Sequence, residues 1–131
     1  MKTKLLTIAL ASVAIAMAAP LPATAKDVDH AHGAEHGGQF VEHDGHHGIE
    51  MVAGDTSLVF HLTDDHKPMN LTGGSFRAIV QTDAGTKMLP LAIDGSALST
   101  VLDTALPAGA KIVITGKDAD GHTIQARFVK K

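Results

Sequence analysis

Thr56-Ser57-Leu58-Val59-Phe60-His61-Leu62-Thr63 is the stretch on which the fold turns. Leu58, Phe60 and Leu62 fall on one side of an extended chain, and Val59, His61 and Thr63 on the other. That period of two marks a half-buried strand. The alternation returns in Ser75–Thr82, where Phe76, Ala78 and Val80 oppose Arg77, Ile79 and Gln81. It returns again in Thr86–Ile93 through Leu89, Leu91 and Ile93, in Lys111–Gly116 through Ile112 and Ile114, and in Thr123–Val129 through Ile124, Ala126 and Phe128. Gln39–Glu42 and Gly48–Ala53 are shorter strand candidates ahead of it. Between them Asp83-Ala84-Gly85 and Asp118-Ala119-Asp120-Gly121 read as hairpin turns, with Gly where a positive φ is needed. Asp44-Gly45 and Gly54-Asp55 punctuate the first strands, and Leu106-Pro107-Ala108-Gly109 leads into a late one. Ser96–Leu106 stays open between a helical turn and extended chain. Short strands with turn signals about every ten residues predict an all-β domain over 38–131. The expected form is a small antiparallel β-sandwich, immunoglobulin-like in the broad sense, with a small antiparallel barrel as the alternative.

Ahead of this domain the composition changes twice. Lys2 and Lys4 precede an uncharged apolar run, Leu5–Ala19, and Ala23-Thr24-Ala25 supplies the small residues of a cleavage site. The run is shorter than the roughly 20 residues of a spanning helix, so 1–25 reads as a cleaved signal peptide. The mature chain is expected in the periplasm and not embedded in the membrane. Residues 26–37 hold acids, histidines, alanines and glycines and almost no large apolar side chain to bury, which predicts a disordered arm. Cleavage takes two lysines from the 11 basic residues, leaving nine against 14 acids and a net charge of −5. An acidic chain whose only aromatics besides histidine are four phenylalanines offers nothing to a nucleic acid. It suits a cation better. With no cysteine, neither a disulfide nor a thiolate metal ligand is available.

Six of the nine histidines crowd into 30–47: His30, His32, His36, His43, His46 and His47, among Asp29, Glu35, Glu42, Asp44 and Glu50. Imidazole is the commonest biological metal ligand, and neighbouring carboxylates add charge and oxygen donors. The irregular spacing does not match a closed structural zinc site, and no helical His-Glu-x-x-His is present. A nitrogen-rich set favours Cu²⁺ over Ni²⁺ and Zn²⁺, with Co²⁺ weaker. The expected ligands nearest the domain are His36, His43, His46 and His47, with Glu50 as an oxygen donor; His30 and His32 add mobile sites. His61 and His66 rank behind them as surface residues able to close a firmer site. His122 follows a turn glycine and reads as exposed.

Three segments carry a family resemblance: His36-Gly37-Gly38-Gln39-Phe40-Val41-Glu42, His47-Gly48-Ile49-Glu50, and Leu62-Thr63-Asp64-Asp65-His66-Lys67-Pro68. Together with Leu106–Lys111 and Gln125–Phe128, they resemble a small exported β domain. That domain occurs alone or as the N-terminal segment of periplasmic adaptor subunits of heavy-metal efflux pumps. The resemblance implies an accessory to metal-cation resistance, with His36, His47 and Glu50 as ligands by position. His66 departs from the type, which has Gly before the Lys-Pro pair. The leading expectation is a periplasmic protein that buffers or delivers a divalent transition metal, with an efflux complex as its partner. The alternative is an interaction module docking on an efflux or envelope complex, its His-rich arm no physiological metal site. No Ser-His-Asp order, nucleophile elbow or paired-carboxylate signature supports an enzyme.

Overall fold

In the computed structural model, which describes residues 33–131, these alternations become ten strands and no helix. The signal peptide expected at 1–25, most of the arm, and His30 and His32 lie outside the described residues. The strands are β1 (Gln39–His43), β2 (His47–Ala53), β3 (Ser57–Asp64), β4 (Lys67–Pro68), β5 (Ser75–Thr82), β6 (Gly85–Pro90), β7 (Ala92–Asp94), β8 (Ala97–Val101), β9 (Lys111–Lys117) and β10 (Thr123–Val129). One sheet runs β1-β2-β3-β8-β7, with β4 paired to β3; the other runs β10-β9-β5-β6. Every pairing is antiparallel, and neither sheet closes into a barrel.

The inward set is the one the alternation predicts. Leu58, Phe60 and Leu62 from the first sheet meet Phe76, Ala78, Val80, Ile112, Ile114, Ile124, Ala126 and Phe128 from the second. Phe60 and Phe128 cross between the layers with ring centroids 5.9 Å apart, tilted by 50°. Ile49, Met51, Leu71, Leu91, Leu98, Leu102 and Ala110 complete the core. Met51 is thus a packing residue, with its thioether sealed from solvent. Among the described residues no buried side-chain nitrogen or oxygen lacks a hydrogen-bond partner.

Two segments differ from expectation. Thr86–Ile93 is not one strand: β6 pairs with β5 in the second sheet, and β7 pairs with β8 in the first. Pro90 has no N–H to extend the ladder, and the chain changes sheets at Leu91, which stays buried at the crossing. The inward parity of Leu89, Leu91 and Ile93 survives the break. Ser96–Leu106 contains strand β8, not a helical turn, and β8 lies between β3 and β7. Asp94-Gly95-Ser96 makes the hairpin into it, with Gly95 at φ +62°.

Candidate functional site

Glu50 is one of two buried polar or charged residues among those described. The pleat explains its direction: Ile49 and Met51 point into the core, so Gly48 and Glu50 take the outer face of β2. Register then sets Phe40 of β1, Glu50 and His61 of β3 in one row across that face. An outward carboxylate would ordinarily be solvated. Here residues 33–38 fold over it, leaving Glu50 4% exposed. The backbone N–H groups of Glu35, His36 and Gly38 donate to its oxygens at 2.9, 2.8 and 2.8 Å, and His36 Nδ1 lies 2.9 Å away. Residues 33–37, the end of the stretch read as an arm, form no strand; what seats them is this carboxylate.

The second contact of the segment is a ring stack. The His36 imidazole lies on that of His61 with centroids 3.6 Å apart and planes within 7°. His36, Glu50 and His61 join Gly33, Glu35, Phe40, Thr63 and His66 around one small cavity of about 40 Å³. Ligand pockets for organic molecules run to roughly 300–1,000 Å³, so this space fits water or an ion instead. Gly48 is needed beside it, because a Cβ there would meet the Phe40 ring at 2.7 Å and Thr63 Oγ1 at 2.6 Å.

The electrostatics follow from this packing. Burial disfavours the Glu50 charge, but the His36 ring and the N–H groups of Gly38, His36 and Glu35 outweigh it and hold the pKa below the usual 4.5. Burial, and secondarily the charge His36 carries when protonated, push His61 below 6.5, with Glu50 pulling the other way.

His43, His46 and His47 lie apart from that row, at the tip of the β1–β2 hairpin. His47 shares the parity of Ile49 and Met51, so it and Glu50 are on opposite faces of β2. Its Nδ1 meets Asp44 at 3.0 Å and its Nε2 lies 3.9 Å from Asp64. His43 Nε2 is 3.9 Å from Asp44. His46 Nδ1 meets Asp65 at 3.0 Å, and the Asp65 N–H donates to the His46 carbonyl, so the β1–β2 and β3–β4 turns hold each other. Asp65 raises the pKa of this exposed His46, and His47 lowers that of Asp44. Asp44, Asp65 and His66 all have positive φ, at 53°, 45° and 66°. His66 is where the two groups adjoin: its neighbour Asp65 serves His46, while His66 itself lines the cavity.

The structure therefore gathers His36, Glu50, His61 and His66 and sets His43, His46 and His47 in a neighbouring group. The pairing of His61 with Glu50 was within reach of the sequence, since a tight Gly54-Asp55 turn fixes that register. A third group, Asp118, Asp120 and His122, is the one set of three among the described residues whose ligand atoms all lie within 4.8 Å of one another. It is largely self-satisfied. Asp118 Oδ1 accepts the N–H groups of Asp120 and His122, and Oδ2 faces His122 Nδ1 at 3.1 Å, which closes the β9–β10 turn.

No family model, curated protein or solved structure matches this chain.

Proposed function

We propose that this is a periplasmic protein that binds a divalent transition-metal ion and buffers it or passes it on, as an accessory to heavy-metal efflux. One observation carries the reading: His36, His61 and His66 line a single ion-sized cavity backed by the buried Glu50. Imidazoles drawn from the root of the His-rich segment, a strand and a turn are what a nitrogen-preferring ion such as Cu²⁺, Ni²⁺, Zn²⁺ or Co²⁺ would use. The His36 and His61 rings are stacked rather than converged, so His61 must turn for both to reach one ion. That favours a site that also releases its cargo. The hairpin group of His43, His46 and His47, each near a carboxylate, offers further sites of the same kind. The signal-like start and the resemblance to adaptor N-terminal domains support the location and the efflux partner.

The test is calorimetric titration of the purified protein with each of the four ions at neutral pH. Binding that weakens as pH falls through the histidine range near 6.5 is expected, because protons compete for the same nitrogens. Absence of heat with all four ions would remove the proposal. A second reading, an interaction module docking on an efflux complex, draws on β6, an edge strand whose Met88 is 62% exposed. A partner complex that forms without metal and survives deletion of Lys26–Gly37 would favour it.

A further inference from the structure

We infer that Glu50 is a positioning residue of this site rather than a ligand, and that it presents Nε2 of His36 to the metal. The inference rests on the metal-binding reading and says which atom does the binding. An ionised carboxylate has about four acceptor directions and no proton to give. Glu50 already receives four donors: the N–H groups of Glu35, His36 and Gly38, and Nδ1 of His36. To bind a cation it would have to release the chain segment that covers it. Because a carboxylate only accepts, the proton of the neutral His36 ring belongs on Nδ1, which leaves the Nε2 lone pair available. The His36 side chain is 48% exposed while that of Glu50 is 5% exposed, so the ring has solvent access and the carboxylate does not.

The arrangement is that of a carboxylate–histidine–metal relay, in which an outer carboxylate fixes the tautomer and orientation of the ligating ring. Glu50 adds a second constraint by gripping the backbone of His36 as well as its ring, so the side chain is held at both ends. The hairpin repeats the pattern with weaker support: His46 Nδ1 faces Asp65 and His47 Nδ1 faces Asp44, each at 3.0 Å in exposed pairs. Glu50 differs because it is buried and fully engaged.

Long-range ¹H–¹⁵N NMR on ¹⁵N-labelled protein, with Zn²⁺ alone as the probe, tests the assignment. The metal-free protein should show His36 protonated at Nδ1, and Zn²⁺ should shift its Nε2 resonance while Nδ1 keeps its proton. Glu50→Gln should weaken Zn²⁺ binding by about 10–100-fold. It should cause no further loss in a His36→Ala background, because Glu50 acts through His36. A His36 ring protonated at Nε2, or a Glu50→Gln loss of equal size in both backgrounds, would overturn the inference while leaving metal binding intact. If Zn²⁺ shifts no imidazole nitrogen, the metal reading fails and the inference falls with it. Should Glu50→Gln not fold, the tautomer and the Zn²⁺ shift in the unaltered protein still decide.

Discussion

Truncating Phe60 to alanine should unfold this domain at markedly lower temperature. The ring is fully buried at the middle of β3, between the register positions of Met51 on β2 and Leu98 on β8. It also carries the aromatic contact to Phe128 of the opposite sheet at 5.9 Å. Loss of a core Phe side chain costs about 3–5 kcal/mol, the aromatic contact included. A small domain has about 5–15 kcal/mol in total, so this one change removes a large share. At roughly 4–8 °C per kcal/mol for a domain of this size, Tm should drop by about 12–40 °C. The chain has no Trp and no Tyr, so far-UV circular dichroism is the practical probe of the melt. Gln125→Ala, on the exposed side of β10, is the control and should stay within about 0.5 kcal/mol. A Phe60→Ala protein that melts within a few degrees of the unaltered one would show that β3 does not face a packed second sheet.

Other consequences follow from the same contacts. Gly116→Ala should destabilise by about 1–3 kcal/mol in urea unfolding, since a Cβ there runs into the Ser75 carbonyl oxygen and the Phe76 ring. Stability should fall on acidification in two stages. His61 has a folded pKa below 6.5, so the unfolded chain takes up protons first and stability declines as pH drops below about 6.5. Glu50 and Asp118, held below 4.5 and 3.8, contribute fully above those values and lose their contribution as pH falls through their folded pKa values. The exposed His46–Asp65 pair acts oppositely, with stability that fades as pH rises through the raised His46 value. A Tm that climbs from pH 7 to pH 4 would contradict this balance. Mass spectrometry of the periplasmic fraction should find a soluble chain beginning at Lys26, and a membrane-bound full-length product would contradict the cleavage expected from 1–25.

Most of the core was legible because each long strand has one buried face. In Ser75–Thr82 and Thr123–Val129 the alternation gave both the bounds and the inward residues. Legibility stopped where one local signal served two structures. Leu89, Leu91 and Ile93 alternate smoothly through a change of sheet, because inward parity is kept on both sides of Pro90. β8 was obscured by Ser99 and Thr100, although the Asp94-Gly95 turn marks its start. At the site, proximity in sequence suggested that His36, His43, His46 and His47 act together. Strand pleating instead sends His47 to the opposite side from Glu50, and register brings His61 beside it. The seating of residues 33–38 on Glu50 could not be read at all, since it is made by backbone N–H groups that every residue but proline carries.

Cu²⁺ titration of two triple variants, followed by the visible and electron paramagnetic resonance signals of the bound ion, bears most directly on where metal is held. Replacing His36, His61 and His66 with Ala should remove the tightest site and its nitrogen hyperfine pattern, while replacing His43, His46 and His47 should leave that site and lower the stoichiometry. If both variants, folded, bind Cu²⁺ as the unaltered protein does, then the cavity behind Glu50 is not the metal site.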